Sequence, residues 1–176
     1  MDRENLRALR FTSFKTDSGW VGMVISPRGI VKLSLPQPDE KSALAELALG
    51  PEAVRVSFER FDELVSRLRE YFKGKPVDFD DKLDTSEGTS FQRSVWSACR
   101  AIPYGQTRTY AWIAEQIGKP GASRAVGNAL GKNPVPIIVP CHRVLASDGG
   151  LGGFKGGLPA KKHLLKLEGI KLKTQP

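Results

Sequence analysis

The 176-residue chain has only two cysteines, two histidines and two methionines. Two cysteines cannot make a disulfide framework at this length, so both are read as thiols of a reducing compartment. Cys99, Cys141, His142 and His163 are the few soft metal ligands, and their spacing fits no zinc pattern, so no metal is expected. No apolar run approaches the roughly 20 residues of a membrane span. The mixed-charge start Met1-Asp2-Arg3-Glu4-Asn5 has no apolar signal core behind it. A cytoplasmic location (intracellular, and nuclear in a eukaryote) with no membrane partner is expected.

Acidic residues are scarce in one half only. Residues 1–88 hold 14 Lys+Arg against 16 Asp+Glu, a net −2, whereas residues 89–176 hold 13 against 3, a net +10. A basic half almost free of acids points to a polyanion, nucleic acid first. A solvated basic surface with no specific partner gives the same composition. The charge break coincides with an acidic stretch from Asp78 to Glu87, which reads as a solvated linker between two units.

In the first half, Trp20 to Ile25 and Ile30 to Leu35 are β-rich runs joined by Ser26-Pro27-Arg28-Gly29, a type I turn signal. Lys41 to Leu49 predicts a short helix. Phe61, Leu64, Val65, Leu68, Tyr71 and Phe72 predict a second, stopped at Gly74. No catalytic constellation is visible there.

The second half opens on a helical stripe, Phe91, Val95, Cys99 and Ile102, which makes Cys99 a core residue. A helix from Thr109 to Gly118, a turn at Lys119-Pro120-Gly121 and a helix from Ser123 to Gly131 have the pattern of a helix-turn-helix. The second of these helices carries Ala122, Ala125, Gly127, Ala129 and Gly131 beside Arg124. So little bulk permits close approach to a nucleic-acid groove, the reading the basic charge of this half favours, or to a neighbouring helix. Val135 to Val144 reads as strand-like in its middle, with Pro134, Pro136 and Pro140 confining it to an irregular or edge position. The glycine cluster 149–157 lacks both the phosphate-loop and the dinucleotide fingerprint, and a loop closing over a site is the remaining reading. Leu164, Leu165 and Leu167 predict a last helix, followed by a basic tail with Lys171 and Lys173.

Within this half, Cys141 stands between Pro140 and His142, with Arg143 next. That setting suits an exposed thiolate, a soft nucleophile for carbon. The run Ser123-Arg-Ala-Val-Gly-Asn-Ala-Leu-Gly-Lys-Asn133-Pro134 and the block Pro140-Cys141-His142-Arg143-Val144 resemble the O6-alkylguanine-DNA alkyltransferases, with matching elements from about Phe91 to Glu168.

The resemblance implies an α+β protein of two domains. Residues 1–84 would form a ribonuclease H-like α/β domain, and residues 85–176 a mainly helical winged helix-turn-helix domain. It implies DNA repair by direct damage reversal, with the alkyl group of O6-alkylguanine moved irreversibly onto Cys141, and O4-alkylthymine a further candidate substrate. Cys141, water, His142 and Glu168 would form a relay that lowers the thiol pKa. Tyr110 would protonate guanine N3, and Asn133 would hold the turn. Val144, Phe154, Lys155 and Lys161 would surround the base together with Tyr110. Arg124 would fill the space left by the flipped base, with Ser123, Ala125, Gly127, Lys132 and Arg143 on the DNA. The implied partner is double-stranded DNA bearing the lesion, bound by a monomer that needs no cofactor. A helix-turn-helix transcription factor and a cysteine hydrolase are the rival functions. The first would prefer one DNA sequence and do no chemistry, and the second would turn over repeatedly.

Overall fold

The computed structural model describes residues 9–172; the charged N-terminal pentapeptide and Lys173 lie outside them. Contacts divide the chain into two compact units, residues 1–85 and 86–176. Among the described residues no helix is long and apolar enough to cross a membrane.

The first unit is a four-stranded sheet with two helices. Strands β1 (Arg10–Thr16), β2 (Gly19–Ser26) and β3 (Gly29–Leu33) form an antiparallel meander. The short β4 (Val54–Arg55) adds parallel to β1, giving the order β3-β2-β1-β4. The β2–β3 turn falls at the proline-glycine signal, and Gly29 takes φ +143°, a region that side-chain-bearing residues avoid. Helices α1 (Glu40–Glu46) and α2 (Asp62–Phe72) cover the sheet. In α2 the buried residues Leu64, Val65, Leu68, Tyr71 and Phe72 fall on one face, and Gly74 at φ +80° ends the chain's helical path.

The acidic stretch is less solvated than its composition suggests. Asp81 makes a two-pronged ion pair with Arg67 at 2.7 and 2.9 Å. Asp84 is 9% exposed and accepts from Ser26 and Arg28 at 2.6 and 3.1 Å. These acids close the first unit instead of standing free, because each has a donor waiting on an element it passes.

The second unit is mainly helical. It comprises α3 (Ser90–Arg100), β5 (Arg108–Thr109), α4 (Tyr110–Gln116), α5 (Ser123–Gly131), β6 (Val144–Leu145) and α6 (Gly157–Leu167), with β5 and β6 paired in parallel. Thr89 and Gln92 form a capping box that starts α3. Val95, Cys99 and Ile102 are buried, and Trp96 donates its indole N–H to the Ala129 carbonyl at 2.9 Å, tying α3 to α5. Gly118 at φ +66° and Gly121 at φ +86° make the tight turn between α4 and α5.

Of the segment 135–144 only Val144, the first residue of β6, is in a strand. Before it the pairing is a single bridge between Pro136 and Val139, and Cys141–Arg143 is a 3-10 turn. Three prolines remove ladder donors, and the Asn133 side chain takes the partners a strand would need. Ile137, a β-branched residue at φ +78°, reverses the chain inside the core, at a cost of roughly 1–2 kcal/mol.

Candidate active site

Helix α5 and the turn after it carry most of the candidate residues. Val126, Ala129 and Leu130 bury one side of α5, which leaves Arg124, Ala125 and Asn128 exposed on the other. Ser123 and Gly127 are half-buried, and Lys132 is exposed at the helix end. A Cβ on Gly127 would sit 3.7 Å from the Tyr110 ring, in ordinary van der Waals contact.

Asn133 follows, 3% exposed. Its Nδ2 donates to the Val139 carbonyl at 2.8 Å and to Cys141 Sγ at 3.2 Å, while its Oδ1 accepts from the Val135 amide at 3.0 Å. One side chain therefore closes the loop and points a donor at the sulfur.

Cys141 is 8% exposed, so the expectation of an exposed sulfur is corrected. Burial pushes its thiol above the ordinary cysteine value. The Asn133 donor, the Lys161 charge and the Cys141 and His142 amides pull the other way without overcoming it. Burial of this kind disfavours the anion and works against the lowered thiol pKa that the resemblance implies.

His142 is fully buried, and its Nε2 lies 2.6 Å from Glu168 Oε1. Cys141 and His142 lie in the 3-10 turn Cys141–Arg143, so their side chains do not take the opposed directions of an extended chain. Burial favours the uncharged Glu168, yet the hydrogen bonds and charges of His142 and Arg143 outweigh it and hold the carboxyl at about 2. Burial pulls His142 below its ordinary value of 6.5. The pair is thus a carboxylate accepting from a neutral imidazole through Nε2–H, which leaves the lone pair on Nδ1.

Arg143 is placed differently from the DNA contact expected. It is 6% exposed and its guanidinium bonds Glu168 and the Ile102 carbonyl, so it is not offered to a phosphate. A guanidinium fork matched to a buried carboxylate outcompetes a solvent-facing pose.

Tyr110 begins α4, and its hydroxyl donates to the Gly153 carbonyl at 3.3 Å. Burial raises its pKa, so it stays a protonated donor. Gly152, at φ +64°, passes so close that a Cβ would come within 2.5 Å of the Tyr110 oxygen. Only glycine allows that approach. The glycine cluster is therefore a tightly apposed loop. Lys161 is fully buried and holds this loop: Nζ donates to the carbonyls of Val144 (2.6 Å), Leu151 and Gly153. Burial lowers its pKa to about 8. Lys161 and Val144 thus stand behind the loop, with the Val144 carbonyl already engaged.

A cavity of about 660 Å³ opens over the sulfur, lined by Cys141, Tyr110, Arg124, Gly127, Phe154 and Lys155 among others. It also takes in Asn128, Ala146 and Ser147, which sequence reasoning missed. Asn128 lies one helical turn from Arg124 on the same face, and that spacing was the available signal. Among the described residues no group of three or more His, Cys, Asp or Glu could hold a metal ion.

The model of the 6-O-methylguanine DNA methyltransferase DNA binding domain matches residues 90–170. The methylated-DNA–protein-cysteine methyltransferase of Methanosarcina acetivorans is 56% identical over 111 residues, covering 63% of this chain and 70% of its own. The protein of the same name from Mycobacterium leprae is 44% identical over 146 residues, 83% of this chain and 85% of its own. A crystal structure of Mycobacterium tuberculosis OGT in complex with DNA aligns with a TM-score of 0.77 at 38% identity, over 90% of this chain and 92% of that one. The mixed α/β architecture is the one seen there. Identity at this level over most of both chains shows that this chain belongs to the methylated-DNA–protein-cysteine methyltransferase family.

Proposed function

We propose that this protein repairs DNA by transferring the alkyl group of O6-alkylguanine to its own Cys141, once per molecule. The observation that carries this reading is the sulfur at the edge of a cavity roomy enough to admit a nucleobase, with the Asn133 donor on the sulfur and the His142–Glu168 pair next in the chain. The thiol proton passes through a water to Nδ1 of His142 as the sulfur attacks the alkyl carbon in line. The S–C bond forms, the C–O6 bond breaks, and its electron pair goes to the guanine. Tyr110 supplies a proton to N3, so the base leaves uncharged. Overall one proton passes from sulfur to base, and the thioether has no route back to a thiol. No cofactor is needed.

The target carbon is out of reach inside a duplex, so the nucleotide is flipped into the cavity at a cost of a few kcal/mol. Arg124, exposed at the start of α5 and on the cavity rim, fills the vacated stack. Ser123, Ala125, Gly127 and Lys132 line the approach to the minor groove. The partner is lesion-bearing double-stranded DNA, bound by a monomer. In this reading residues 1–84 form a ribonuclease H-like domain and residues 85–176 a winged helix-turn-helix domain.

The finger role separates two reactions. Arg124→Ala should slow repair of a duplex containing O6-methylguanine at least ~10-fold more than transfer from free O6-benzylguanine, because only the duplex has a stack to refill. Single-turnover rates on both substrates measure this, and equal losses would overturn the assignment.

A further inference from the structure

Proton transfer from Cys141 needs His142 and a carboxylate behind it, yet the relay has one more buried charge. Arg143 Nε lies 2.9 Å from Glu168 Oε2 and 3.2 Å from Oε1, and Nη2 lies 3.0 Å from Oε1. Its Nη1 donates to the Ile102 carbonyl at 2.6 Å, and its guanidinium lies 5.7 Å from the Tyr104 ring centre. Glu168 Oε2 also accepts the Gly105 amide at 3.1 Å. The carboxylate is therefore fixed in plane and direction by donors on three sides.

We propose, on the alkyl-transfer reading above, that Arg143 is a positioning residue whose fork neutralises and orients Glu168, keeping His142 an uncharged base toward Cys141. The reasoning is a charge count in a dry site. A lone buried carboxylate would be compensated by protonating its only neighbour, and an imidazolium cannot accept the thiol's proton. With Arg143 present the carboxylate is already paired, and a second cation beside it is opposed. The other groups facing the pair do not change this count. Lys161, from α6, is a further cation set against the imidazolium. Cys99 on α3, Tyr104 beyond its end and Cys141 in the turn are all pushed toward their neutral forms, chiefly by burial. Charge and geometry are separable: a lysine would keep the first and lose the two-pronged fit.

The experiment uses full-length wild type, R143M and R143K. It follows methyl transfer from an O6-methylguanine duplex by intact mass under single-turnover conditions, and His142 protonation by NMR of histidine-labelled protein. In R143M the acid limb of the rate profile, and the His142 titration with it, should move up by about 1–2 pH units. In R143K the His142 titration should stay near wild type while the rate at neutral pH drops at least ~10-fold, because the fork is gone. A folded R143M with the wild-type titration and profile overturns the proposal. Where R143M does not fold, R143K decides, and a wild-type rate there overturns the role of the fork. Failure of the wild type to accept a methyl group sinks the alkyl-transfer reading instead, while the His142 titration still reports on Arg143.

Discussion

Glu168→Ala is expected to remove on the order of 3–5 kcal/mol of folding stability, because it leaves the buried Arg143 cation without its partner. The carboxylate accepts from His142, Arg143 and Gly105, and its side chain is fully shielded from solvent. The same change takes the orienting acceptor from His142, so alkyl transfer falls even where the variant folds. The wild type carries a matching pH signature. Glu168 is held at about 2 in the folded protein against 4.5 ordinarily. As pH falls the unfolded chain takes up this proton first, so the stabilisation is complete above about pH 5 and is lost progressively from there toward pH 2. That difference is worth about 3 kcal/mol. His142 acts in the same direction at higher pH. Burial lowers its folded pKa below 6.5, so stability begins to fall as pH drops through that value. Denaturant unfolding across pH should show the gap between wild type and Glu168→Ala narrowing from pH 6 toward pH 2 by ~3 kcal/mol. A constant gap would mean that Glu168 acts by packing, not as a charge.

Asn133→Asp is expected to slow methyl transfer at neutral pH by about 10- to 1,000-fold, since a like charge within about 4–6 Å moves a pKa by 1–3 units. The two side chains have the same shape, so the effect is electronic. Oδ1 keeps the Val135 amide, but an oxygen replaces the N–H that faces the Val139 carbonyl and Cys141 Sγ at 2.8 and 3.2 Å. Two acceptors then meet a third, and the sulfur loses its strongest stabilising contact. The pH dependence of Cys141 alkylation by iodoacetamide, read by mass, measures the thiol directly. It should shift to higher pH in the variant, and an unmoved curve would show that the Asn133–sulfur contact has no electronic role.

Periodic and chemically marked features were legible in the sequence. Helix α5 begins and ends where its small-residue pattern does, and the β2–β3 turn falls on Pro27 and Gly29. The association of Cys141, His142 and Glu168 came from resemblance, not from spacing, because 26 residues separate the pair that touches. Strand β1 was not anticipated. Its Arg10–Thr16 run mixes Lys15 and hydroxyl residues with Phe11 and Phe14, and Thr12, Ser13 and Thr16 are buried. Sheet pairing with β2 satisfies that backbone, and one-dimensional patterning does not show it. Residues 135–143 read as strand-like because apolar content alone cannot distinguish a strand from a buried turn, and here a side-chain amide supplies the backbone's partners. The DNA contact that the resemblance implies for Arg143 does not reckon with its inward pairing, which only the tertiary position of Glu168 reveals.

Whether Cys141 itself receives the alkyl carbon can be read from one spectrum. Reduced, folded protein is mixed with excess duplex containing O6-methylguanine, then weighed intact and after proteolysis. One methyl-equivalent per molecule on the peptide bearing Cys141, none on Cys99 and none in Cys141→Ser, is the predicted result. An unmodified Cys141 after saturating exposure to that duplex would contradict it.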